Sequence, residues 1–136
     1  MVVESYGEVD ILDESHIVTV RKTIREAASR IGFGVTDVTR IVTAGSELAR
    51  NAFHYAGRGV MRWQEVENGQ SIGIELVFED HGPGIANLEQ ALEPGYSTSG
   101  GLGMGLPGTK RLMDEMDIRS RVGEGTTVTV RKWRRK

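Results

Sequence analysis

The chain has 136 residues, 38% of them hydrophobic, with 17 Lys and Arg against 19 Asp and Glu and a formal net charge of -2. That length and mixture fit one globular domain, 1–136, able to bury a core without covalent staples. The absence of cysteine excludes a disulfide framework, a thiol nucleophile and a zinc-thiolate site. The near-neutral balance gives no general attraction to nucleic acid or membrane, and no apolar run approaches the roughly 20 residues that span a bilayer. The first residues lack the basic and apolar regions of a signal peptide. A soluble cytoplasmic domain is expected.

Charged and apolar residues alternate from Glu8 to Leu12, which predicts a short strand. Asp13, Glu14 and Ser15 then form a helix N-cap region. Ile17, Val20, Ile24, Ala27 and Ile31 recur at helical spacing, so helix 15–31 turns one face to the core, and Gly32 and Gly34 end it. Thr36 or Asp37 is expected to cap a second helix that runs to Ala56 and stops at Gly57. Its buried stripe is Val38, Ile41, Gly45, Leu48, Ala52 and Tyr55. Glu47, Asn51 and His54, at i, i+4 and i+7, share the neighbouring face.

Two strand-like runs follow, 60–67 and 70–79, and Asn68-Gly69 between them predicts a hairpin. Ile72, Ile74, Leu76 and Phe78 face the core, and the second strand ends at Asp80. Residues 79–110 then hold 8 of the 18 glycines, more than a turn requires. Free N–H groups in such a run, feeding a helix start, favour an anion. The segment reads as a nucleotide pocket with a phosphate-covering lid. A third helix is predicted over 106–116, with Pro107 in its first turn and Leu106, Leu112, Met113 and Met116 inward. A strand over 117–122, a turn at Gly123-Glu124-Gly125 and a β-branched strand over 126–133 complete the chain. Five of the last six residues are basic, which reads as a solvated tail. The order predicts an α+β two-layer sandwich: a mixed, largely antiparallel sheet with helices on one face. The glycine-rich run lacks the Lys-Ser/Thr of a Walker A motif and no βαβ unit surrounds it, so a P-loop and a Rossmann unit are both excluded.

Asp80 taken alone is a turn carboxylate. Beside the glycine-rich segment it becomes an acceptor for an amino group in a tight cleft, such as the exocyclic amine of adenine. Glu47 and Asn51 taken alone are a solvated helix pair; on a helix otherwise rich in apolar residues they face a cleft. Mg²⁺ takes one or two protein oxygens and leaves the rest to water and phosphate. The Asn51 oxygen suffices, which leaves Glu47 free as a base. His54 reads as a packing or partner-facing residue.

Glu47-Leu48-Ala49-Arg50-Asn51-Ala52 resembles the N-box of the GHKL ATPase/kinase superfamily, whose ATP site has the Bergerat fold. Asp80-His81-Gly82-Pro83-Gly84-Ile85 resembles its G1 box, Gly101-Leu102-Gly103-Met104-Gly105-Leu106 its G2 box, and Gly123-Glu124-Gly125-Thr126 its closing Gly-x-Gly-Thr. The four boxes stand in the family's order over residues 36–133. Ser46-Glu47-Leu48-Ala49-Arg50-Asn51, Gly95-Tyr96-Ser97-Thr98-Ser99-Gly100-Gly101, Gly105-Leu106-Pro107-Gly108 and Lys110-Arg111-Leu112-Met113-Asp114-Glu115 are most similar to the RsbT-type serine/threonine kinases of the stressosome. The resemblance implies phosphorylation of Ser or Thr on STAS-domain scaffold partners, followed by release to a downstream effector such as a PP2C-type phosphatase. By position, Asn51 ligates Mg²⁺ and Glu47 is the catalytic base. Asp80 reads adenine with Thr126 beside it, and Gly82 and Gly84 let the chain pass close to the base. Gly101, Gly103 and Gly105 bring amides to the phosphates of ATP. An anti-sigma-factor kinase, a nucleotide-gated binding module and a free-standing histidine-kinase catalytic domain are the competing readings.

Overall fold

The computed structural model describes residues 5–83 and 105–134. Five strands form one sheet in the order β1-β2-β3-β5-β4, with β1 at Tyr6–Ile11, β2 at Gly59–Glu67, β3 at Ile72–Asp80, β4 at Glu115–Arg121 and β5 at Gly125–Trp133. Every pairing among the described residues is antiparallel; the expected mixed sheet has no parallel pair there. The Asn68-Gly69 hairpin joins β2 to β3 in the predicted place.

The register sorts the side chains into two faces. Gly7, Trp63, Leu76 and Val130 lie in one row, and Val9, Met61, Phe78 and Val128 in the next. Buried residues from these rows, led by Met61, Leu76 and Val130, join a hydrophobic cluster with the helices. Helix α1, Ser15–Ile31, has the predicted bounds and buries all five expected residues together with Ala28. Side-chain hydrogen bonds fix the turn that leads into it, although the N-cap residue Glu14 makes no side-chain cap. Asp13 Oδ1 accepts the Ser15 N–H at 2.8 Å, and His16 Nδ1 accepts the Leu12 and Asp13 N–H groups at 2.9 and 3.3 Å. Asp13 thereby makes a turn of the Asx type immediately ahead of the helix. The Ser15 hydrogen bonds hold the Asp13 carboxyl below its ordinary range.

Helix α2, Val35–Ala56, begins earlier than expected. Gly34, and neither Thr36 nor Asp37, occupies the cap position, with no side-chain cap. The chain has already turned: the Phe33 N–H bonds the Ala28 carbonyl at 3.1 Å and its ring is buried. Asp37 therefore falls in the first turn, where its charge suits the helix dipole. The predicted stripe is buried except for Tyr55, which is 41% exposed.

Helix α3, Gly105–Leu112, is shorter than predicted. The Asp114 N–H bonds the Arg131 carbonyl at 2.9 Å, which commits the chain to β4. Met116 still packs inward, but from a strand. The basic end is likewise no solvated tail over 131–134. Arg131 bonds Glu75 at 2.7 Å and Glu115 at 3.2 Å, Lys132 is only 6% exposed, and Arg134 donates to the Ile31 carbonyl at 2.8 Å, satisfying a free carbonyl at the end of α1.

Ile24 has no exposed surface, and Gly45 of α2 comes so close that a Cβ there would overlap the Ile24 side chain. Removing the branched side chain leaves a cavity under both helices, so Ile24→Ala is expected to destabilise by roughly 2–5 kcal/mol, read from urea unfolding curves.

Candidate nucleotide site

Two of the expected residues are set by α2. Glu47 lies on the helix's buried side, 2% exposed. Its Oε1 accepts a hydrogen bond from Arg50 Nη1 at 3.1 Å, one turn along. Its Oε2 is buried without a hydrogen-bond partner, and so is Asn51 Oδ1. Buried acceptors are ordinarily satisfied. Two orphans a single turn apart on one helix mark a place built for something else. Asn51 Oδ1 is a hard, neutral oxygen of the kind Mg²⁺ accepts. No cluster of three or more His, Asp or Glu competes for a metal among the described residues. The donor set therefore fits a cation completed by phosphate and water.

The other residues sit where β3 ends and β5 begins. Asp80 pairs with Thr126, and Thr126 with Ser120 of β4, so all three point to the helix side of the sheet. Asp80 Oδ1 accepts the Gly82 N–H at 2.9 Å. The Thr126 and Ser120 hydroxyls are 2.8 Å apart, and Ser120 also donates to the Gly125 carbonyl at 3.1 Å. Partial burial raises the Asp80 pKa above its ordinary 3.8, opposed by main-chain hydrogen bonds from Gly82 and Thr126.

Glycine is required at two of these places by contact. A Cβ on Gly82 would lie 2.8 Å from that of Ala56 and 3.0 Å from the Tyr55 carbonyl, so the strand end passes directly over the end of α2. Gly125 has φ +117°, and a Cβ there would overlap the Asp80 carbonyl oxygen. A side chain at either position would push the carboxylate from its place. The Gly123 N–H bonds the Pro83 carbonyl at 2.9 Å, a second tie between the same segments.

Glu47 and Asn51 thus lie along α2, while Asp80, Gly82 and Thr126 gather at the C-terminal end of that helix, where Gly82 meets Tyr55 and Ala56. Gly105 opens α3, which packs on α2. Gly84, Gly101 and Gly103 lie outside the described residues. His54 is exposed, in edge contact with Phe53. Arg50 and Ser120 were not anticipated. The i, i+3 spacing from Glu47 could have revealed Arg50; Ser120 emerges only from the β4–β5 register.

Residues 12–132 match the histidine kinase-like ATPase domain. The chain belongs to that family. Over 127 residues it is 48% identical to the serine/threonine-protein kinase RsbT of Bacillus subtilis, covering 93% of this chain and 96% of that protein. It is 33% identical over 119 residues to the anti-sigma F factor of Anoxybacillus flavithermus, covering 82% and 80% of the two chains. The solved structure of the RsbU and RsbW domains of a Mycobacterium tuberculosis protein superposes with a TM-score of 0.63 at 21% identity. That alignment takes in 98% of this chain and 34% of the other, and it bears on the fold alone. Within the ATPase family the chain is therefore a serine/threonine protein kinase of RsbT type.

Because the folded-state pKa of Asp80 is raised, the folded chain holds its proton longer than the unfolded chain. Asp80's contribution to stability accordingly falls as pH rises from 3.8 to its folded value. Asp80→Asn removes this penalty while keeping an acceptor for Gly82. The variant's unfolding free energy is expected to gain on wild type as pH rises through that window, with a constant difference above it, measured by denaturant titration at several pH values.

Proposed function

We propose that this kinase transfers the γ-phosphoryl group of ATP to a serine or threonine of a STAS-domain scaffold partner in the cytoplasm. The phosphorylated partner then releases it to a downstream effector such as a PP2C-type phosphatase. The observation that carries the reading is the pair of unpartnered buried oxygens, Glu47 Oε2 and Asn51 Oδ1, on a helix whose end meets the Asp80 strand.

Asp80 accepts the adenine amine, with the Thr126 hydroxyl, held by Ser120, alongside. Gly82 keeps the chain low enough for the base to lie against it, and Gly84 does the same on the other side of Pro83. Gly101, Gly103 and Gly105 turn amide donors toward the phosphates. Asn51 holds Mg²⁺, which neutralises phosphate charge when bound. Arg50 fixes one oxygen of Glu47, and the free Oε2 takes the proton of the incoming hydroxyl. Phosphoryl transfer depends mainly on positioning and charge stabilisation, so so small a frame is sufficient. The acceptor hydroxyl arrives with the partner, whose docking completes the site.

An anti-sigma-factor kinase would use the same pocket. The higher identity to RsbT favours the scaffold-directed reading, and stoichiometric capture of a sigma factor would reverse that preference. The deciding measurement is transfer of labelled phosphate from Mg-ATP to a STAS-domain protein. Glu47→Gln is expected to slow transfer by about 10²–10⁴-fold with ATP still bound, and Asn51→Ala to lose both transfer and magnesium-dependent ATP affinity. Tight binding of ATP and partner by wild type with no transfer would make the chain a nucleotide-gated binding module.

A further inference from the structure

Among the described residues, Lys132 is a buried cation that the phosphoryl-transfer scheme does not use. It projects from β5 on the helix side of the sheet, in one row with Ile74. Its Nζ donates to the Leu112 carbonyl, the last of α3, at 2.9 Å. Asp114, at the entry to β4, lies 3.7 Å from the same nitrogen, and Asp37, in the first turn of α2, lies 4.0 Å away. A lysine amine has three donors, and here they converge on the point where α3, α2 and β4 meet.

Helix carbonyls at the C-terminal end have no partner of their own, and a buried ammonium is tolerated only when paired. Both needs are met by one contact. Helix α3 is eight residues long, about two turns and roughly 12 Å, and it packs on α2. Holding its last carbonyl therefore constrains the seating of the short helix that Gly105 opens. Gly105 closes the glycine-rich run whose amides the proposed function assigns to the phosphates, and this inference rests on that reading.

We infer that Lys132 is a positioning residue for the phosphate end of the nucleotide site, acting through α3. Its reach does not include the adenine end, which Asp80, Gly82 and Thr126 build on β3 and the far end of β5. Loss of Lys132 separates the two ends: phosphate recognition weakens while base recognition stays.

The test is calorimetric titration of ATP and of adenosine in magnesium buffer into wild type, Lys132→Met, Lys132→Gln and Lys132→Arg, with folding checked by circular dichroism. The Met and Gln variants are expected to bind ATP roughly tenfold more weakly and adenosine as wild type does, and Arg to restore ATP binding. Equal losses for both ligands in a folded variant, or no loss for either, overturn the inference. Failure of both Met and Gln variants to fold also overturns it, since Lys132 would then hold up the fold as a whole. A wild type that binds neither ligand instead overturns the nucleotide reading on which the inference stands.

Discussion

Everything in this molecule hangs on α2 being enclosed. The helix packs against α1, α3 and the inner face of the sheet, so its buried surface covers far more than a narrow stripe. A carboxylate and an amide on such a helix are removed from water whether or not they have partners. Burying a polar atom without a partner costs on the order of 1–3 kcal/mol, and two such atoms persist here side by side. A fold selected only for stability would replace them with apolar groups. These two oxygens are the observation on which the proposed function rests, and the enclosure that makes them costly would also strengthen any charge interaction made there.

The two groups of candidate residues are held differently. Around Asp80, backbone contact decides: Gly125 and Gly82 are places where no side chain fits, and the main-chain hydrogen bond from Gly123 to Pro83 locks the two segments together. Around Glu47, side chains decide, with Arg50 holding one oxygen and leaving the other. The first residues of β5 meet Asp80, and the other end of the strand, with Arg134 just beyond it, closes the ends of α3 and α1 through Lys132 and Arg134.

Much of this was legible in the residues because it is local. The apolar spacing of Ile17 to Ile31 and the Asp13–Ser15 turn specify α1 through contacts between near neighbours. Asn68-Gly69 specifies its hairpin in the same way, and the spacing of Glu47 and Asn51 places them together on one helix face. What was misread depends on distant partners. Met116 fits a helix as well as a strand, and only pairing with β5 selects the strand. Thr36 looks like a cap because it is a capping residue type, but Phe33 is drawn into the core and the helix starts sooner. The basic end looks solvated because no window of neighbouring residues contains Glu75, Leu112 or Ile31.

The register of β5 against β3 joins residues from 46 positions apart, Asp80 with Thr126, to 60 positions apart, Gly73 with Trp133. A sheet whose middle is closed over such separations must pay its loop entropy before that pairing rewards it, so folding is expected to be slow for a chain of this size. Once the loop is closed, however, its length matters little: doubling a flexible connection adds only about 0.6 kcal/mol. The pairing of β3 with β5 thus sets the stability of the finished sheet, while the distance between the two strands along the chain sets chiefly how fast they meet.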